Sequence, residues 1–366
     1  MLSTMLSPLA TAFDTTPAHA SWLVSSYALS YAVAAPIFGF LSDRIDRRRL
    51  LLISLVLFAI DGLALTVAPS FGAAIALRIF GGLASAALIP TAFALVADII
   101  HVHRQSGAMG AVMVGMTAGI VAGPVIAGIL TEAFDWRAPF LTTAAGCLTT
   151  FAVARRAIPE RKVRHSETNR RQFSWITEGS ITRPLVAKGL WNGTAVAGFL
   201  LAGEVLRQRH DLSVGIVGIS VSAFGLGLLL GNLGGVGRAV RLFRGDERTL
   251  MAALLILIMA IGTFMIAPLP LEGGLACLTV WGGFALGLAA PTSTSMLATR
   301  SEDDKGQVLA VSESLNNLTI LAVLPLAAMQ FEIAGSARTM LVFAVTLTIA
   351  VILTIADRRI MDSQKS

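Results

Sequence analysis

The sequence is short of charge. Only 14% of its residues are Asp, Glu, Lys or Arg, against roughly 25% in a soluble globular chain. With 55% hydrophobic residues and a mean hydropathy of +0.75, too little polar surface remains to clothe a water-soluble globule. That excludes the two or three soluble domains that 366 residues would otherwise suggest. Cysteine is scarcer still. Cys147 and Cys277 sit inside apolar runs, so no disulfide framework is expected. The five histidines (His19, His101, His103, His165, His210) fall in or beside polar breaks, and no Cys/His spacing suggests a metal finger. His101 and His103 offer two ligands where a stable site needs more. The sequence also lacks a nucleotide-binding P-loop and any His/Asp or Ser/Lys cluster near one face, so neither direct ATP coupling nor a membrane enzyme is expected. No metal or other cofactor is expected.

What the chain does have is long apolar runs. A helix needs about 20 mostly apolar residues to cross the hydrocarbon core, and unsatisfied backbone is not tolerated there. Eleven runs qualify, at 22–41, 49–68, 72–98, 106–131, 138–154, 184–206, 212–237, 249–268, 273–298, 306–328 and 339–356. Residues 1–13 are apolar but too short to span. They lack the basic start and small-residue cleavage site of a signal peptide, and are expected to be the outer end of a clipped first span. The eleven runs are therefore numbered spans 2 to 12. An all-α polytopic protein follows.

Lys and Arg set the orientation. With the break at 43–49 placed inside, 22 of the 28 basic residues fall in inner segments, 4 in outer ones, and Arg78 and Lys188 within spans. A multi-pass cell-membrane protein with both ends of the full-length chain cytoplasmic is expected. The net charge of +6 reflects this bias, and nucleic acid is not an expected partner. The longest inner segment, 155–183, is polar and basic and divides the spans six and six. The expected organisation is an N-terminal bundle (1–154), a basic cytoplasmic linker (155–183) and a C-terminal bundle (184–366). A long central loop between two six-helix halves marks pseudo-symmetric transporters.

The sharpest local signal closes span 2: Gly39-Phe-Leu-Ser-Asp43-Arg44-Ile-Asp46-Arg47-Arg48-Arg49. Gly39, Asp43 and Arg47 share one helical face. Asp43 stands where a carboxylate can cap a neighbouring helix, and the arginines can meet acids or lipid phosphates. A plain stop-transfer cluster would also carry this charge. Span 4 carries Arg78-Ile-Phe-Gly81-Gly82. Span 5 carries Gly115, Gly119, Gly123-Pro124 and Gly128, a small-residue stripe for close helix packing with a kink-favouring proline.

The first stretch resembles the loop 2–3 signature of the major facilitator superfamily, G-x-L-x-D-R-x-G-R-R, with Asp46 in place of a glycine. Arg78 to Gly82 is similar to the family's R-x-x-Q-G, with Gly81 replacing glutamine. The span 5 stripe resembles the G-x3-G-P-x3-G signature of its drug:proton antiporters. Phe224-Gly225-x-Gly227 with Gly231-Asn232, Leu278-x2-Trp281-Gly282-Gly283-Phe284 and Ser312 to Asn317 resemble the twelve-span branch that exports drugs, sugars and metabolites. The resemblance implies two six-helix bundles around a cavity lined by spans 1, 2, 4, 5, 7, 8, 10 and 11. It also implies a cytoplasmic latch of Gly39, Asp43, Arg44 and Arg47, in which Asp43 meets the start of span 11 and Arg47 meets Asp98 at the end of span 4. Gly231 to Arg244 holds no acid, so a one-sided latch is expected.

Ionisable residues within spans are functional candidates, because burying them in lipid is costly. Arg78 lies on a cavity-lining span and could hold an anion or act on a carboxylate. Glu204, toward the outer end of span 7, is the first choice for a proton carrier, with an interfacial acid beside Arg207 and Arg209 as the alternative. Glu313, two turns into span 11, could bind substrate or join the latch. Asp61 lies deeper, on a support span, and is expected to hydrogen-bond a neighbouring span. Lys188 is expected to snorkel. Tyr27, Tyr31, Trp191, Asn192, Trp281, Phe284 and Asn316 together fit an amphipathic small-molecule cavity, while for any single one of them helix packing or interface anchoring is the preferred reading.

The expected function is a monomeric secondary transporter in the lipid bilayer of an inner membrane. It would export a small organic compound (a drug, sugar or metabolite) in exchange for protons by alternating access, with multidrug resistance as one outcome. Facilitated uptake, or a clipped relative with a structural role, are the alternatives.

Overall fold

Apolar runs without polar partners must satisfy their own backbone, and in the computed structural model they do so as helices. The structure describes residues 2–41, 46–159, 174–232, 235–243, 245–301 and 304–365, with no strand among them. Asp43 and Arg44 of the expected latch, and 160–173 of the basic linker, lie outside the described residues. A short 3₁₀ turn, Leu2–Thr4, leads into α1 (Leu6–Ala12), α2 (Pro17–Ala20), α3 (Trp22–Leu41), α4 (Arg47–Thr66), α5 (Phe71–Ser85), α6 (Leu88–Ile99), α7 (Val102–Ala133) and α8 (Ala138–Ala157). The second half follows as α9 (Gly179–His210), α10 (Val214–Asn232), α11 (Gly235–Phe243), α12 (Asp246–Ile266), α13 (Leu271–Phe284), α14 (Ala290–Arg300) and α15 (Lys305–Lys365).

Among the described residues nine stretches are long and apolar enough to cross a membrane, against eleven expected spans. Two features account for the difference. The expected spans 11 and 12 run together as α15, broken only at Gly335, whose φ of 74° no other residue type adopts easily. The expected span 6 forms α8, but its run of threonines and closing Arg155 and Arg156 make it the least apolar helix of its length. The expected span 4 is divided as α5 and α6, and span 10 as α13 and α14 joined by a π-helical turn at Ala285–Ala289. Gly39 lies near the end of α3.

Local signals set several boundaries. Ser70 caps α5 by accepting from the Ala73 N–H at 3.2 Å. Asp46, standing where the family pattern has glycine, has φ −57° rather than left-handed backbone. Its carboxylate accepts from the N–H groups of Arg48 at 2.9 Å and Arg49 at 3.2 Å, so it starts α4 as a cap.

Close approach between helices comes from missing side chains. A Cβ on Gly227 would strike the Thr279 carbonyl, and one on Gly282 the Phe224 carbonyl, so α10 and α13 meet backbone to backbone. The main core fills the second half around Trp191, Phe224, Phe264, Trp281 and Phe343. A smaller core in the first half gathers Met5, Leu9, Leu23, Leu65 and Phe140 beneath α1. Large apolar side chains such as Val33, Ile53, Leu230 and Met259 face outward, as a lipid-facing surface requires.

Candidate functional site

The apolar interior leaves few polar side chains, and those few converge. Asp61 of α4 and Arg78 of α5 are buried, at 1% and 7% exposure. Arg78 Nη1 donates to Asp61 Oδ2 at 3.2 Å, its Nε donates to the Leu23 carbonyl at 3.3 Å, and its guanidinium stacks 4.5 Å over the Tyr27 ring. Tyr27 and Ser85 share a hydrogen bond of 2.5 Å between their hydroxyls. Asp61 Oδ1 is buried without a partner. Asp61 reaches Arg78 because position 81 is empty: a Cβ on Gly81 would overlap Asp61 Oδ2 and lie 2.5 Å from its Cγ. The expectation that Asp61 bonds a neighbouring span thus describes its placement, and the carboxylate fills the volume that a glutamine at 81 would take.

A cavity of about 410 Å³ touches this pair and both halves of the chain, through Tyr27, Asp61, Arg78, Leu200, Asn317 and Ile320. Tyr27 and Tyr31 stack at 6.2 Å. Glu313 is exposed and lies within electrostatic reach of Tyr31 and of Lys188. Asn316 is half-buried with Oδ1 unpartnered.

Three sequence expectations are corrected. Trp191 and Trp281 do not line the cavity shared by the two halves: they are 1% and 0% exposed, and Trp281 packs edge-on to Phe224 and Phe264. Their large apolar rings are worth more in the dense core of the second half. Asn192 is buried beside them, and Phe284 packs on the same core. Lys188 does not snorkel. It lies nine residues into α9, is 4% exposed, and donates from Nζ to Thr294 Oγ1 at 2.7 Å. The missed signal was its distance from the helix start, too great for its stem to reach water. The span 5 stripe packs only in part. A Cβ on Gly128 would come 2.6 Å from the Val214 carbonyl, while Gly115 and Gly119 face open space. Pro124 meets α10 through its carbonyl, 2.5 Å from a Cβ built on Gly218. The face that meets α10 runs along Val121, Pro124 and Gly128, so the glycines at 115 and 119 lie off it.

At the arginine-rich end, Arg47 Nη1 donates to both Asp98 oxygens, at 2.8 and 2.7 Å. The one-sided latch is also corrected. In the second half Arg300, closing α14, donates to Asp357 at 2.7 Å and Glu247 at 3.3 Å, and Arg183 stands 3.5 Å from Asp357. Arg47 opens α4 and Asp98 closes α6, whereas Glu247 opens α12 and Arg300 closes α14. The second pair sits in the equivalent place with its signs exchanged, and its acid lies inside the first turn of α12 rather than in the stretch from Gly231 to Arg244. At the opposite end, Glu204 accepts from the Ser7 hydroxyl at 2.6 Å and from Gln208 Nε2 at 3.2 Å.

Comparison with known proteins adds to this geometry. The family model described as Major Facilitator Superfamily matches residues 1–206. An uncharacterized MFS-type transporter of Bacillus subtilis, YceJ, is 30% identical over 70% of this chain and 66% of its own length. A second from B. subtilis, YwoD, is 31% identical over 44% of this chain and 35% of its own length. The chain thus spans less than two thirds of each. A multidrug resistance protein B homolog of Mycobacterium tuberculosis is 31% identical over 42% of this chain and 29% of its own length. Among solved structures, a bacterial homolog of the human lysosomal transporter Spinster, described as inward-facing and occupied, superposes with a TM-score of 0.74 at 17% identity, covering 98% of this chain and 92% of its own. The nucleoside transporter NupG gives 0.78 at 12% identity, covering 98% and 94%.

Proposed function

The chain belongs to the major facilitator superfamily as a multi-pass membrane protein, and on that premise we propose that it exports a small organic compound in exchange for protons. The two halves, 1–154 and 184–366, rock about the cavity between them while the basic linker lies on the cytoplasmic side. The observation that carries this reading is the buried Asp61–Arg78 pair. An ion pair inside a bilayer span is costly to desolvate, and here one carboxylate oxygen is left without a partner beside a cavity. A proton on Asp61 neutralises the carboxylate and frees Arg78. Losing that proton restores the pair. Glu204, the first choice from sequence, is not among the residues lining that cavity, which supports Asp61 over it as the proton site coupled to substrate. Tyr27, Leu200, Ile320 and Asn317, which line the cavity, support a substrate with one apolar face and a few polar groups.

The test has two steps. Growth inhibition by a panel of amphipathic drugs, dyes, sugars and nucleosides, in a host with and without the chain, finds a compound. That compound is then followed in liposomes under an imposed pH gradient. Asp61→Asn should abolish gradient-driven movement and leave exchange down the compound's own gradient. Full gradient-driven movement in Asp61→Asn would remove Asp61 from this role, and movement indifferent to pH in the unaltered protein would make it a uniporter.

A further inference from the structure

Three carboxylates at the arginine-poor ends of the helices each accept hydrogen bonds from the other half of the chain. Glu132, closing α7, accepts at one oxygen from the Gly215 N–H at 2.5 Å and the Ser213 hydroxyl at 2.9 Å, both at the start of α10. Glu204, on α9, accepts from Ser7 of α1 at 2.6 Å. Glu332, on α15 just before its break, accepts from the Ala18 N–H at 2.7 Å. Beside Glu204 the backbone is in close contact as well, since a Cβ on Gly203 would strike the Ser3 carbonyl. One more hydrogen bond links the halves farther along α7, from Asn232 Nδ2 to Thr117 at 3.4 Å. It involves no charge.

None of the three carboxylates has a basic side chain within ion-pair distance among the described residues. The neighbouring cations are used elsewhere. Arg209 donates to the carbonyls of Phe264 and Met265 and to Ser336, Arg137 to Asp135 and the Thr66 carbonyl, and His19 stands edge-on to Phe71. Asp14, Arg207, His210, Asp211, Glu272 and Arg338 complete the charged and titratable groups of that end. The negative charge of each carboxylate is therefore met by neutral donors, from the opposite half in every case and, at Glu204, also from Gln208 of its own helix. Hydrogen bonds of that kind are roughly twice as strong as neutral ones, and they lose the advantage when the acceptor takes a proton.

We propose that Glu132, Glu204 and Glu332 form a three-carboxylate clasp that holds the outer gate shut, and that external protons are the ligand that opens it. The clasp stands on its own geometry. Its opening by protons rests on the antiport reading, because it gives the incoming proton a binding site that exposes the cavity to the outside. A proton added at Glu132 weakens two bonds at once, since both donors share one oxygen.

Glutamine is the neutral mimic of the protonated acid. Each Glu→Gln change should shift the closed-to-open ratio about 5-fold, and the three together on the order of 100-fold, by the difference between charged and neutral hydrogen bonds. The full chain would carry Cys147→Ser and Cys277→Ser, with spin labels on Val67→Cys and Ile266→Cys at the outer ends of α4 and α12. Label separation would be read in nanodiscs without substrate. The clasp predicts one short distance at neutral pH, a growing longer population as the bath is acidified, and the longer population already at neutral pH in Glu132→Gln/Glu204→Gln/Glu332→Gln. If the triple variant does not elute as a single folded species, the three single variants read the same shift in smaller steps. An unchanged distance in folded variants overturns the clasp. Acid opening that persists in the variants, or a wild type that stays shut in acid, overturns its opening by protons. Flux in liposomes that ignores the pH gradient, alongside an intact acid response of the gate, would overturn the antiport reading alone and leave the clasp standing.

Discussion

Gly81→Ala is a one-carbon perturbation with a large expected effect. The added Cβ would overlap Asp61 Oδ2 and stand 2.5 Å from Cγ and 2.9 Å from Oδ1. Position 81 is buried on α5, and the carboxylate is the part that must give. Swinging it away breaks the 3.2 Å contact with Arg78 Nη1 and leaves two buried charges uncompensated, a loss of about 3–5 kcal/mol. The better helix propensity of alanine returns about 1 kcal/mol, so the net cost is about 2–4 kcal/mol. Thermal unfolding in detergent, followed by the loss of a monodisperse elution peak, measures it. The control is the same change on an Asp61→Ala background, where no carboxylate is in the way and Gly81→Ala should be neutral or slightly stabilising. On that background Gly81→Gln should do better still, because its amide oxygen can replace Asp61 as acceptor for Arg78. An equal cost of Gly81→Ala with and without Asp61 would refute the reasoning, since the two positions would then be independent.

Two further outcomes follow from the same geometry. Arg300→Gln removes a partly buried guanidinium from Asp357, Glu247 and the Ser180 carbonyl and should lower stability by about 1.5–3 kcal/mol. Arg47→Gln breaks a more exposed pair and should cost under about 1 kcal/mol; equal shifts in the same unfolding assay would count against the second-half cluster. Gly128→Ala should cost about 1–3 kcal/mol by forcing α7 from α10. Gly115→Ala and Gly119→Ala, which meet nothing within 4 Å, should be neutral or slightly stabilising in thermal unfolding.

Much of the helical order was legible because the bilayer allows so few alternatives. A run of 20 apolar residues has to be a helix, and its Lys/Arg flanks orient it. Position along the chain was therefore readable, while direction around the helix was not. Trp191 and Trp281 fall in spans that line the cavity in the family, yet their rings turn into the core. In an all-apolar helix no periodic contrast marks the inner face. The glycines at 115 and 119 were misjudged for the same reason. Asp46 could be recognised as a departure from the family pattern, but its capping role depended on the φ it adopts.

The sequence by itself determined that this is a polytopic helical membrane protein, how its ends are biased, and which few charges survive within the spans. Those conclusions rest on solvation, which acts on each segment separately. Only the tertiary structure decided which charges meet. Asp61 and Arg78 are seventeen residues apart, and the gap at Gly81 that joins them appears only when α4 lies against α5. The sign-exchanged cluster of Arg300 and the carboxylates that cross between the halves connect residues 53 to 314 positions apart. Hydrogen bonds and ion pairs act over a few ångströms, so their partners are set by helix packing, and no local pattern in the chain records it.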